Sequence, residues 1–159
     1  MSDTRATSQT VRYRERLRVP LWWWLPALGL AALIALEVNQ GVPAVPRWVP
    51  YAVLLPVAGA VLLALGRTEL RVVSGAHGEA ELWVGNAHLP AGVVARSAAV
   101  PRTAKSAALG RQLDPAAYVV HRAWVGPMVL LVLDDPDDPT PYWLVSARRP
   151  DKVLAALAS

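Results

Sequence analysis

Four aspartates crowd the segment Asp134-Asp135-Pro136-Asp137-Asp138, and three histidines, His77, His88 and His121, are the chain's only imidazoles. Clustered carboxylates suit hard cations such as Ca²⁺. The segment nevertheless lacks the glycine at a sharp turn and the terminal glutamate of a calcium-binding loop, so it reads as a solvated acidic turn. The histidine spacing matches no ligand pair on one helix. His77 lies between Gly75 and Gly78, the setting of a turn. Glu79 and Glu81 are two apart on a predicted strand and share a face, a surface pattern where no pocket is evident. Ser74, Ser97, Ser106 and Ser146 have no recognisable base partner, and no phosphate-cradling glycine loop or nucleophile elbow occurs. The chain has no cysteine, which removes disulfides, thiolate metal sites and cysteine nucleophiles. The residues therefore assign no catalytic, cofactor-binding or metal-binding position. Asp134, Asp135, Asp137 and Asp138 stand as a candidate interaction surface. A cation-dependent enzyme using Asp134 to Asp138 with His121 is the competing hypothesis.

Basic chemistry is concentrated elsewhere. Arg12, Arg14, Arg16 and Arg18 alternate along "RYRERLR", directly before Trp22, Trp23 and Trp24. Residues 1–19 carry a net charge of +3 within a total of +4. The high pI thus reflects a basic neck rather than a basic face in the C-terminal part. Nucleic-acid binding is set aside for that reason, since no basic patch interleaved with aromatics follows. As a strand, the four arginines share one face. As a helix, Arg12/Arg16 and Arg14/Arg18 stack as i,i+4 pairs. In either form they are candidate contacts to anionic lipid, or a topology signal, together with Trp22, Trp23 and Trp24.

The elements that position these groups follow from hydropathy. The composition is 54% hydrophobic, above the range of soluble domains, and the excess lies in residues 20–65. Residues 20–38 hold no charge except Glu37, and residues 48–65 hold none. Two such stretches separated only by Asn39 to Arg47 predict a helical hairpin that crosses a bilayer twice, not a cleaved signal, because no small-residue cleavage site follows. Arginines flank the outer ends of both spans, and the loop has only Arg47, so the positive-inside rule places both termini in the cytoplasm. Pro26 and Pro56 fall within the spans as kink sites. Two rows of small residues, Ala27/Ala31/Ala35 and Ala52/Ala60/Ala64, lie at helical spacing that favours close packing. No ionisable group sits at mid-membrane depth, which argues against a transporter.

Residues 67–159 read as mostly β. Candidate strands are "TELRVVSG", "GEAELWVGNAHLP" with its Gly85-Asn86 turn, "AGVVARSAAVP", the run "YVVHRAWVGPMVLLVLDD" broken at Gly126-Pro127, and "YWLVSA", while "RTAKSAALGRQLDPA" is ambiguous between a turn of helix and an irregular edge. Pro150 and Asp151 then open a short helix. The prediction is three parts: a basic N-terminal segment (1–19), two spans (20–66) and a β-rich α+β domain (67–159), barrel-like with a C-terminal helix.

"YRERLRVPLWWW" and "LDPAAYVVHRAWVGPMVLLVLDDPDDPTPYWLVSARRPDKVLAAL" together resemble an actinobacterial two-span membrane-protein family of unknown function, domain-of-unknown-function family 3093. The likeness runs from Tyr13 to Leu157, and "DDPDDPTPYWLVS" is its most specific part. More loosely, two spans followed by strands and a terminal helix resemble bacterial membrane-tethered pleckstrin-homology-like (PH-like) domains. The resemblance implies a plasma-membrane, multi-pass protein and assigns no activity. The functional expectation is a non-catalytic, membrane-tethered interaction or scaffold module. Its partners would be the bilayer, a membrane or cytoplasmic protein, or a second copy. The alternatives are a small accessory subunit of a membrane complex and an anionic-lipid-responsive sensor.

Overall fold

The computed structural model describes residues 10–75 and 78–159, so His77 and residues 1–9 lie outside the described residues. The chain divides into two compact units, residues 18–68 and the combination of the N-terminal stretch to Leu17 with Glu69–Ser159.

In the first unit a 3₁₀ turn (Leu21–Trp23) leads into helix α1 (Trp24–Gly41), and helix α2 spans Val49–Leu65. Together the turn and α1 form one 21-residue helical segment, long and apolar enough to cross a membrane. It measures roughly 32 Å at the α-helical rise. Only 11% of its most apolar window is buried, so it does not behave as a core helix. Helix α2 is apolar throughout but has 17 residues, about 26 Å. Pro26 falls in the first turn of α1, where its missing N–H has no intrahelical acceptor to lose, so it is not a kink site. Pro56 does lie inside α2. The two helices pack side by side, with Trp24 against Gly59 (3.6 Å to the position of an added Cβ). Ala31 and Ala35 are buried, whereas Ala52, Ala60 and Ala64 are exposed. The first small-residue row therefore serves this helix pair and the second does not.

The second unit contains two four-stranded sheets. Strands β1 (Val11–Arg16), β2 (Glu69–Ser74), β3 (Ala80–Val84) and β4 (Ala87–Pro90) form an antiparallel sheet in that order. The arginine alternation is thus a strand, and it belongs to the same sheet as the residues that follow the second helix. Gly85, with φ of 61°, turns the β3–β4 hairpin in a conformation that a side chain would strain. Strands β5 (Val94–Val100), β6 (Tyr118–Val120), β7 (Met128–Leu133) and β8 (Tyr142–Ser146) form the other sheet in the order β5-β7-β8-β6, with β6 parallel to β8. A short helix α3 (Lys105–Leu109) occupies the β5–β6 connection, and α4 (Pro150–Ala158) closes the chain.

The period-2 alternation dictates the core. Leu70, Val72, Leu82 and Val84 from the first sheet meet Val129, Leu131, Trp143 and Val145 from the second, with Val153 of α4 in the same cluster. This is an α+β unit, mostly β, closed by the C-terminal helix. Leu82 is fully buried in mid-sheet. Leu82→Ala lowers stability by about 2–5 kcal/mol, whereas exposed Arg111→Ala stays within about 0.5 kcal/mol. Denaturant unfolding of the purified chain, followed by near-ultraviolet circular dichroism, measures both.

Candidate functional site

Because Leu70, Val72 and Leu82 point inward, their neighbours in sequence point out. One register row crosses the whole first sheet on that outer face: Arg14 opposite Arg71, Arg71 opposite Trp83, and Trp83 opposite His88. The Trp83 and His88 rings stack, with centroids 4.9 Å apart and planes 23° apart. Arg16 lies opposite Glu69 in the neighbouring row. The Glu69 carboxylate accepts from the Arg14 guanidinium and sits 3.7 Å from Arg16 Nε. The hydrogen bond from Arg14 holds Glu69 below the usual carboxylate range, with smaller contributions from Arg16 and Arg71. One carboxylate thus faces three guanidiniums, and a π-stacked pair lies on the same face. Glu81, which accepts from Trp83 Nε1 at 3.2 Å, is the other acidic group on it.

The remaining sequence candidates separate. Arg12 stands at a β-bulge and donates to Ser74 Oγ (2.8 Å), Gly78 O (3.2 Å) and the Ser159 carbonyl, so it ties strand ends together. Arg18 is exposed and belongs to the helical unit. Trp22 is 65% exposed with its ring 5.6 Å from that of Trp23, and Trp24 packs on α2. In the acidic turn, Asp135 Oδ1 accepts from Asp137 N (3.0 Å), and Asp138 Oδ1 accepts from Thr140 N (2.9 Å) and Thr140 Oγ1 (2.6 Å). Those two bonds from Thr140 hold the Asp138 carboxyl below its ordinary value. These carboxylates cap their own loop, and among the described residues no group of three or more His, Asp or Glu side chains converges as a metal site. Sequence reasoning missed Arg71, Trp83 and His88 as a group because only the register β1-β2-β3-β4 brings them into line with Arg14.

It also missed a cavity of about 300 Å³ between α3 and the outer face of the second sheet, walled by Val100, Ala104, Ala108, Leu130, Tyr142 and Leu144. The Lys105 ammonium pins α3 there by donating to Arg122 O (3.1 Å) and Val125 O. Desolvation, then Arg102, lowers the Lys105 pKa. The Tyr142 hydroxyl is already engaged, accepting from Asp114 N at 2.8 Å and donating to Gln112 O at 3.2 Å. His121 is held below its ordinary pKa by desolvation, then by Lys105 and Arg122. The walls are mostly apolar, with Gln112 and Tyr142 as their polar members.

The family model described as "Protein of unknown function (DUF3093)" matches residues 12–157. The chain belongs to this family. The family's match starts within β1, takes in both apolar helices and ends in α4. Strand, helices and β-rich unit are therefore one inherited whole. No curated protein and no solved structure matches the chain.

Tyr13 supplies a titratable reporter of the β1 seam. Burial, reinforced by the hydrogen bond from its hydroxyl to Glu15 Oε2 (2.7 Å), raises the phenol to about 12. An unfolded tyrosine titrates near 10. The folded pKa lies above the unfolded one, so the phenol's contribution to stability is complete below about pH 10 and is lost as pH rises toward 12. Tyr13→Phe flattens the stability profile in that window and leaves its shape below about pH 9 unchanged; unfolding midpoints across the alkaline range check it.

Proposed function

We propose that this protein is a multi-pass plasma-membrane protein, anchored by α1 and α2 as a transmembrane hairpin with both termini cytoplasmic, and that its β-rich unit is a non-catalytic, PH-like interaction module. One observation carries the reading: the helical unit exposes Leu21, Leu25, Leu30, Leu33, Val53, Val57 and Leu63, and its only charged side chains between Val19 and Gly66 are Glu37 and Arg47. Water has no favourable answer to that much exposed apolar surface, whereas hydrocarbon does. The shorter α2 is accommodated by local thinning of the bilayer and by the interfacial side chains Trp48 and Tyr51. Two sheets closed by a terminal helix support the PH-like description.

The cysteine-free chain makes topology directly testable. Val42→Cys is expected to react with an impermeant thiol reagent on intact cells, and Ser159→Cys only after lysis. Labelling of Ser159→Cys but not Val42→Cys on intact cells overturns the orientation.

The row of Arg14, Arg71, Trp83 and His88 favours one addition: the outer face of the first sheet meets anionic headgroups of the inner leaflet. Each arginine near such a surface contributes on the order of 1 kcal/mol. A fluorophore on His88→Cys is expected to shift its emission to the blue in proteoliposomes containing phosphatidylglycerol relative to phosphatidylcholine alone. Arg14, Arg16 and Arg71 changed to Gln together remove that difference; an equal signal in both lipids rejects the contact. The exposed row of Ala52, Ala60 and Ala64 favours the accessory-subunit reading, in which those small residues pack against another membrane helix.

A further inference from the structure

The two sheets present four edge strands, β1, β4, β5 and β6. Edges invite pairing with other chains, and proteins blunt them with charge, proline or brevity. Three of the four are blunted. Strand β1 carries an arginine at every second position, β4 has four residues and ends in Pro90, and β6 has three residues. Strand β5 is the exception, with seven residues, "VARSAAV", and a single charge. Residues 95–99 are all exposed. The Val94 N–H donates to Ala91 O, and among the described residues no backbone or side-chain hydrogen bond reaches residues 95–100 except through the ladder to β7. Its outward N–H and C=O groups are therefore available from residue 95 to residue 100.

A slot of about 230 Å³ runs beside this edge on the inner side of the sheet, between β5 and α4. Val94, Ser97 and Leu131 form one wall, and Leu154 and Leu157 of α4 the other. Ser97 pairs with Leu131, so both point to the inner side. A strand added to β5 would place the residue opposite Ser97 on that same side, at the slot. Arg96 points to the opposite side, is exposed, and has no ion partner among the described residues.

We propose that the free edge of β5, with the slot between it and α4, binds an extended segment of a partner protein by strand addition. The segment carries a bulky aliphatic residue opposite Ser97 and a carboxylate at a neighbouring position, beside Arg96. Main-chain bonds to β5 supply affinity, and the slot and Arg96 supply specificity. Slot volume and charge choose this occupant over a second copy. An antiparallel β5 pair centred on Ser97 would offer only Ser97 and alanines to the slot, which leaves it empty, and would bring no carboxylate to Arg96.

The proposal rests on the docking-module reading and names its site. The test is selection of random twelve-residue peptides displayed on phage against the full chain in detergent micelles, followed by affinity measurement with the winning synthetic peptide. Peptides with an aliphatic residue next to an acidic one are expected. Ser97→Phe, which fills the slot from an exposed position, is expected to weaken binding at least about tenfold. Arg96→Glu is expected to turn the acidic preference into a basic one. Unfolding midpoints equal to wild type establish that both variants are folded. No enriched peptide, or undiminished binding to Ser97→Phe, overturns the proposal. Efficient pairwise cross-linking of Ser97→Cys chains by a short bismaleimide also overturns it, because a second copy then holds the edge. Membrane topology labelling reads the anchoring separately, so failure here is distinguishable from failure of that reading.

Discussion

The pairing of β1 with β2 is the constraint on which everything else depends. These strands are neighbours in the sheet, yet the whole helical unit lies between them in the chain. Bringing the ends of so long an excursion together costs closure entropy, though that cost grows only slowly with length. The register Arg16 to Glu69, Glu15 to Leu70 and Tyr13 to Val72 recovers it through ladder bonds and through Tyr13, which packs on the core. Glu15 extends the seam, accepting from Arg148 N at 2.7 Å just before α4. Without β1 the inner face of β2 would be left at an open edge.

Electrostatics follow from that pairing. Alternation sends Tyr13 and Glu15 toward the core side and Arg14 and Arg16 outward, where β2 adds Glu69 and Arg71. The resulting face is basic but not uniformly so, since Glu69 balances part of it. Exposed ion pairs of this kind contribute little to stability. Their consequence is a local potential and an ordered set of donors. By contrast, the acidic turn before β8 uses its carboxylates on its own backbone, which leaves it a well-formed loop.

Much of the fold is legible in the sequence. The Gly85-Asn86 hairpin, the break at Gly126-Pro127, the strand "YWLVS" and the helix opened by Pro150 rest on local chemistry: turn preference, alternation and the helix N-terminus. The two apolar segments are equally plain, although proline at position 26 proved to mark a helix start. What escaped was non-local. Nothing within "RYRER" says that its partner is "ELRVV" beyond the whole helical unit. Nothing local says that "YVV" runs parallel to "YWLVS". The Arg14–Arg71–Trp83–His88 row and the β5–α4 slot exist only once strand order is known, because each joins residues from elements distant in sequence. The segment "RTAKSAALGRQLDPA" holds a single helical turn pinned by Lys105, a tertiary contact that no propensity encodes.

The way the chain leaves and re-enters the β-rich unit has a mechanical meaning. The last residue of β1 and the first of β2, Arg16 and Glu69, face each other across the ladder, and both are followed or preceded within a few residues by the apolar helices. Any force that drew α1 and α2 apart would act on the same end of the two strands. They would peel like a zip, one rung after another, rather than slide past each other with all rungs loaded at once. The first rung to bear that load is the one where Glu69 is gripped by Arg14 and faced by Arg16.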